Sequence, residues 1–501
     1  MPNKTMAHIK KILIANRGEI AVRIHRSAKE MGISTVAVFS DPDRTAPHVL
    51  LCDEAYPLHG ITSTETYLRI DKLLEIAKNA NVDAIHPGYG FLSEKESFAR
   101  SVTEAGFIFI GPRAETIELL GSKTSARELL SGKNIPIVPG SVKPINNLDE
   151  AIEVASSIGF PVLIKASGGG GGKGMRLVYS AGELENSIER AQNEAEKAFS
   201  DNRVYIEKYI VNPKHIEIQI LADNHGNVIH LGERECSVQR RHQKVVEECP
   251  STAVTPELRS AMGLAAVEIA KAAGYVNAGT MEFLVDADKN FYFLEVNTRV
   301  QVEHPITEMV YGIDIIKEQI RIAEGENLSL SQEDVKINGH AIEARIYAEE
   351  YDNNFLPSTG TITHYQPSEG LGVRNDSGIR TGSEITMHYD PMIAKLVAHG
   401  RNRTEAIEKM KRALREYKIN GVKTTIPFCE IVLSHPEFIN GSYDINFVAK
   451  HFLVSDPLLE KEESIAIAAS FVTSSADVRK ISLNNKIVVS QTQWKNQLRN
   501  E

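Results

Sequence analysis

The sequence predicts a multidomain fold: a parallel α/β amino-terminal domain, a central domain built on a glycine hairpin and acidic strands, and an α+β carboxyl-terminal domain. Three observations lead there. Residues 8–112 alternate short apolar runs with helix-period runs, the pattern of a parallel sheet with right-handed crossovers. Residues 161–179 read as strand, glycine hairpin, strand, and residues 280–303 as two runs carrying carboxylates. Residues 340–453 mix short strands, such as 392–398, with an amphipathic helix at 404–417. A chain of 501 residues holds about three domains of ordinary size.

Bulk properties narrow the class. The net charge of −10 argues against general nucleic-acid binding. Cys52, Cys236, Cys249 and Cys429 are widely spaced without a CxxC pair, which fits a reducing compartment and gives no zinc signature. The first residues are basic but lack the apolar core of a signal peptide, and no apolar run approaches a membrane span. The expectation is a cytoplasmic protein.

In order along the chain, residues 11–15 (KILIA) read as a strand and 18–31 as a helix with Ile20, Ile24 and Ala28 on one side. Strand 35–39, helix 67–79, strand 82–86, helix 93–105 and strand 107–110 follow. The loops ANRGE (15–19) and HPGYGFLSE (86–94) leave the carboxyl ends of strands, where open sheets bind ligands. A turn using glycine at positive φ explains them equally well.

Residues 113–150 read as a helical connection, with Lys123 near the start of a helix. The run SGGGGGKG (167–174) contains GxGxxG, but a strand follows it where a dinucleotide fingerprint needs a helix. A Walker loop needs Ser or Thr after its lysine, and Gly174 stands there. What remains is a glycine hairpin between two strands, with Lys165 before it and Lys173 inside it: a phosphate lid. Residues 204–210 and 215–221 continue as strands. Residues 234–248 set Arg240, Arg241, His242 and Lys244 against Glu247 and Glu248, the composition of a solvated surface loop. Beside a triphosphate, those cations become candidates for an anionic co-substrate. Residues 256–273 form an amphipathic helix.

Residues 280–285 and 291–305 form the acidic pair. Glu295, Asn297, Arg299, Gln301 and Glu303 alternate, so an extended chain to Glu303 would set all five on one wall. The turn at 286–290 would put Glu282 opposite Leu294 or Glu295. Neighbouring carboxylates repel unless a cation lies between them, and magnesium uses one or two carboxylates plus substrate phosphates. A structural ion network would produce the same clustering.

These motifs in this order resemble the ATP-grasp ligases, and within them biotin carboxylase. The resemblance runs through ANRGEIAVRI, HPGYGFLSE, KASGGGGGKGMR, QRRHQKVVEE, GTMEF, EVNTRVQVEHP, HAIEARI and YDPMIAKL, covering roughly residues 8–450. It implies an amino-terminal domain at 1–120, an ATP-grasp domain at 121–335 with a lid at about 140–210, a carboxyl-terminal domain at 336–453 and a tail at 454–501 without assigned role. It also implies a reaction: MgATP and bicarbonate give carboxyphosphate, whose CO2 passes to N1′ of biotin.

Carried over residue by residue, Lys123, Lys165, Gly171 and Gly172 would hold the nucleotide phosphates. Glu207, Lys208, Tyr209, Ile210 and His215 would line adenine and ribose, with Gln239 and His242 in the same wall. Glu282, Glu295 and Asn297 would hold two magnesium or manganese ions. Lys244, Arg299, Gln301 and the Val302 backbone would bind bicarbonate, and Glu303 would deprotonate it. Arg345 would stabilise the biotin enolate, with Tyr89 bordering that pocket. Biotin-accepting domains present a lysine between two methionines, and Met410–Lys411–Arg412 within a helix does not match. The expected partners are therefore a biotin carboxyl carrier protein, a carboxyltransferase and a second copy of the chain, with no nucleic acid and no membrane. The alternatives are a catalytically silent nucleotide-binding scaffold or another ATP-grasp ligase.

Overall fold

A computed structural model describes residues 8–452, apart from 122, 131, 134, 142, 146, 167–174, 200–201 and 241–242; the side chains of 123–124, 126–127 and 198–199 also lie outside the description. The amino-terminal part is an all-parallel sheet of β1 (Lys11–Ile14), β2 (Ser34–Phe39), β3 (Glu54–Pro57), β4 (Ala84–His86) and β5 (Ile108–Phe109), in the order β3-β2-β1-β4-β5. Ile12, Leu13 and Ile14 are fully buried because β1 is covered on both faces, which is why its sequence is continuously apolar. Strand β3 has no counterpart in the sequence pattern: EAYP is half-buried at the sheet edge and carries no apolar run. The strand order reverses between β1 and β4, and the ANRGE and HPGYG loops leave at that point. Asn16 joins them, donating from Nδ2 to the carbonyls of Pro87 (2.8 Å) and Tyr89 (2.7 Å).

A small antiparallel sheet, β7-β6-β8, is formed by β6 (Val162–Ala166), β7 (Met175–Val178) and β8 (Val204–Lys208). Helix Leu148–Ile158 precedes it in sequence and helix Leu184–Phe199 lies between β7 and β8, and Ala151, Ala155, Val162, Ile164, Val178 and Ile206 form a core of its own. The strand expected to reach residue 210 stops at Lys208.

The central sheet has eight strands. Six are β9 (Lys214–Ala222), β10 (Val228–Arg240), β11 (Gln243–Cys249), β12 (Asn277–Val285), β13 (Phe291–Asn297) and β14 (His340–Tyr347). The order is β13-β12-β9-β10-β11-β14, then Met392–Gly400, then Val373–Ser377. The sheet therefore runs unbroken from the acidic strands into the carboxyl-terminal part. Helix Pro256–Ala272 packs Met262, Ala266 and Ile269 into a core shared with Ile216, Ile218, Met281 and Phe283. Among the described residues no helix is long and apolar enough to cross a membrane.

Two expectations fail here. Most of residues 234–248 do not form a surface loop. They are largely β10 and β11, and Arg234, Glu235, Glu247 and Glu248 are buried. A charged run survives inside because its members pair with one another and with neighbouring strands. The extended wall also ends early: β13 stops at Asn297, and after a short irregular stretch helix His304–Tyr311 begins. Strand β13 is the edge of its sheet, and Pro305 lies in the first turn of that helix, where a missing N–H costs nothing. Arg299, Gln301 and Glu303 thus reach the site from irregular backbone, not from one strand face.

Glu248 shows how the carboxyl-terminal part is fastened. It is fully buried on β11, 2.7 Å from His340 Nε2 and 2.6 Å from Arg403 Nε, and it accepts from the Tyr443 hydroxyl. Burial alone would raise its pKa, but His340 and Arg403 outweigh burial and draw it down to about 2 from 4.5. A depressed folded-state value means this stabilisation is complete above the ordinary carboxylate pKa and is lost as pH falls toward 2. Urea denaturation as a function of pH should show stability dropping through that window, and Glu248→Gln should lower stability at pH 7 while flattening the drop.

Candidate active site

Lys244 is where the strands converge. Its ammonium lies 2.7 Å from Glu303 Oε1 and 3.3 Å from Glu282 Oε1, and it pairs with Glu217 Oε1. These carboxylates come from β9, β12 and the turn before helix His304–Tyr311. Glu217, Glu282 and Glu295 occupy one rung across β9, β12 and β13. Of the two registers the sequence allowed, the hairpin takes the one with Glu282 opposite Glu295, and the ladder shifts just after it.

Three carboxylates on one rung are tolerable only with cations among them. Burial would lower the Lys244 pKa, but Glu282 and Glu303 overcome that and raise it. Burial would likewise raise Glu303, yet Lys244, Arg345 and Arg234 hold it well below the carboxylate range. Glu282 is also depressed against burial, by Lys244 and by His215, whose Nε2 lies 3.0 Å away. His215, expected along adenine and ribose, stands beside Glu282, a residue expected to hold metal.

Behind the rung lies Arg234, fully buried. Its guanidinium reaches Glu217 (3.2 Å), Gln219 (2.8 Å), Thr307 (3.0 Å), Thr280 (3.1 Å) and Gln301 (3.0 Å). Gln301 in turn donates to Glu282 Oε1 (2.7 Å), as does Asn297 (2.6 Å), while Asn297 Oδ1 accepts from Arg299 (3.1 Å). Arg299 also pairs with Glu94 of the HPGYGFLSE loop at 2.9 Å. Arg234, Glu217 and Glu247 escaped sequence reasoning. The signal was there for Glu217, a charge inside the otherwise apolar alternation HIEIQIL.

On β14, Arg345 is held by Glu303 Oε2 (2.8 Å) and Glu247 Oε1 (2.6 Å). A cavity of about 540 Å³ opens beside it, lined by Arg345, Arg299, Val302, Tyr89, Glu19 and Tyr389, among others. The Tyr89 hydroxyl donates to Glu19. The buried Lys395 pairs with Glu19 at 3.0 Å and donates to the Val302 carbonyl at 2.8 Å.

The remaining expected residues lie elsewhere or outside the description. Lys165 on β6 pairs with Glu207 on β8 in the small sheet. Lys208 donates to the carbonyls of Gly159 and Phe160, both at 3.0 Å, so here it fastens backbone. Tyr209 and Ile210 follow β8 and are half-buried. Gln239 lies opposite Lys244 in the β10–β11 ladder. Lys123 opens helix Lys123–Leu130, with its side chain outside the description, as are Gly171, Gly172 and His242. The arrangement gathers oxygen donors suited to a hard cation, an ammonium for an anion, an ionised base, and a guanidinium facing a ligand-sized cavity.

Comparison with known proteins identifies the family. Residues 8–117 match the family "Biotin carboxylase, N-terminal domain", 122–331 match "Carbamoyl-phosphate synthase L chain, ATP binding domain", and 343–450 match "Biotin carboxylase C-terminal domain". Biotin carboxylase 1 of Bacillus subtilis is 53% identical over 441 residues, 88% of this chain and 98% of that protein. The propionyl-CoA carboxylase alpha chain of Ruegeria pomeroyi is 45% identical over 95% of this chain and 74% of its own. The biotin carboxylase domain dimer of Hydrogenobacter thermophilus 2-oxoglutarate carboxylase, solved with MgADP, ADP and bicarbonate, superposes with a TM-score of 0.83 at 48% identity, covering 89% of this chain and 99% of that one. The chain belongs to the biotin carboxylase family, and it is an ATP-dependent ligase with an ATP-grasp domain.

Proposed function

We propose that this chain is the biotin carboxylase subunit of a biotin-dependent carboxylase, using ATP, Mg2+ and bicarbonate to carboxylate biotin carried on a separate protein. The observation that carries the reading is Glu303, an ionised carboxylate bridging Lys244 and Arg345 at 2.7 and 2.8 Å. It stands where the anion-binding ammonium meets the guanidinium of the cavity.

Glu282, Glu295 and Asn297 would hold the metal, which when bound neutralises charge on the transferring phosphate. Lys123, Lys165 and the lid glycines Gly171 and Gly172 would hold the phosphates, and Gln239, His242 and residues 207–210 the nucleoside. His215, beside Glu282, would line the adenine and ribose with them. Lys244, Arg299, Gln301 and the Val302 backbone would bind bicarbonate. Glu303 takes its proton, so that a bicarbonate oxygen attacks the γ-phosphorus and ADP leaves. Carboxyphosphate then releases CO2 and phosphate. Biotin gives its N1′ proton to the phosphate just released, and its enolate oxygen rests against Arg345 beside Tyr89 until N1′ attacks CO2.

The geometry couples the two halves. A protonated Glu303 has lost the charge that held Arg345, leaving the guanidinium with one carboxylate partner instead of two. Arg345 is thereby freed as the enolate forms. Lys411 lies in the regular helix Arg403–Glu416, with Nζ 3.5 Å from Glu408. A carboxyltransferase completes the second half-reaction, with acetyl-CoA, propionyl-CoA, pyruvate or a related acid as acceptor. A homodimer is supported by the dimer of the Hydrogenobacter relative.

Glu303→Gln should leave binding of an ATP analogue near wild type in calorimetry while abolishing bicarbonate-dependent ATP cleavage; wild-type turnover would remove Glu303 from its role. Arg345→Ala should depress biotin carboxylation by about ten- to a hundredfold, the worth of a hydrogen bond to a charged group. Biotin-independent ATP cleavage should fall far less, and equal losses in the two assays would contradict the assignment.

A further inference from the structure

Beneath Arg345 lies a pair of acids that the reaction scheme does not use. Glu247 on β11 and Glu343 on β14 stand directly opposite each other in the ladder. Both are buried, Glu247 to 1% exposure and Glu343 to none. Glu247 gives Oε1 to Arg345 Nε and Nη2, at 2.6 and 2.5 Å. Among the described residues, its Oε2 and both oxygens of Glu343 meet no hydrogen-bond donor. The same face carries the apolar cluster Cys249, Ala341, Val397, Ile306 and Val310, with Val397 opposite Glu343 on its other side.

The cations within influence are committed elsewhere. Arg345 is shared between Glu247 and Glu303, and Lys244 serves Glu217, Glu282 and Glu303. Lys395, opposite Arg345 on Met392–Gly400, is bound to Glu19 and the Val302 carbonyl. Two adjacent carboxyls in such surroundings cannot both ionise, because each desolvated charge needs a partner and one guanidinium face is available. We infer that the pair holds one proton, carried by Glu343, and that ionised Glu247 is a positioning residue that orients Arg345 toward the biotin cavity. Burial pushes both acids up, with Lys395 opposing it at Glu343 and Arg345 at Glu247, and Glu343 is raised further. A second negative charge on this rung would compete with the biotin enolate for Arg345; a neutral Glu343 prevents that. The inference rests on the reading of Arg345 given above.

The test uses the full chain with free biotin, comparing wild type, Glu247→Gln and Glu343→Gln in biotin-dependent and biotin-independent ATP cleavage and in infrared spectra. Glu247→Gln should lower kcat/KM for biotin by about ten- to a hundredfold while keeping biotin-independent cleavage, which also reports that it is folded. Glu343→Gln, a neutral isostere of the protonated acid, should retain both activities and lose one protonated-carboxyl carbonyl band from the wild-type spectrum. Loss of biotin turnover in Glu343→Gln without loss of that band would overturn the inference. So would equal loss of both activities, or of neither, in Glu247→Gln. A wild-type chain without biotin-dependent turnover would instead overturn the function proposed for the whole site.

Discussion

Carboxylates inside a sheet need cations among them, and the arrangement of this site follows from meeting that need with few cations. Glu217, Glu282, Glu303 and Glu247 are buried within a few strands of one another, and Arg234, Lys244 and Arg345 are the countercharges that thread between them. Each cation is shared by more than one acceptor. Replacing either member of such a network leaves a desolvated charge, which costs more than the pair itself contributes. The arrangement therefore fixes positions strongly while adding little to net stability, which suits a site that must hold an ionised base in place.

The same constraint explains how the parts of the fold cooperate. The central sheet supplies the rung of Glu217, Glu282 and Glu295, and its continuation through β14 places Arg345 at the neighbouring cavity. The amino-terminal sheet contributes the loops at its reversal point: Tyr89 and Glu19 line the cavity and Glu94 holds Arg299. Lys395 joins the two by binding Glu19 on one side and the Val302 carbonyl on the other. A shift of one residue in β14 would turn Arg345 to the opposite face.

Much of this was legible in the sequence, and the failures have physical causes. The parallel sheet announced itself through apolar runs buried on both faces, whereas β3, an edge strand of EAYP, had no such run to show. The hairpin between Glu282 and Glu295 followed from two alternating runs and a short turn, although the bulge that selects its register did not. Residues 234–248 misled because a charged run in isolation reads as solvated. Its burial depends on Glu217 and Glu282, partners distant in sequence whose register with it no local pattern reveals. The wall to Glu303 misled for the opposite reason: an alternating sequence continues past the point where β13 leaves the ladder. The residue types were informative even where their conformation was not, since Gln301 and Glu303 reach the cluster from a turn.

The central claim is that Glu303 is a carboxylate before bicarbonate arrives, kept so by Lys244 and Arg345. Its folded pKa is depressed, so it should remain ionised as pH falls through the ordinary carboxylate range and take up a proton only below it. The direct measurement is a carbon-13 titration of the Glu303 side-chain carboxyl, assigned by its loss in Glu303→Gln, in wild type and in Lys244→Met. The account predicts a wild-type midpoint below the range of ordinary glutamates and a higher one once the ammonium is gone. An ordinary midpoint in the wild type, or one that Lys244→Met leaves unmoved, would contradict it.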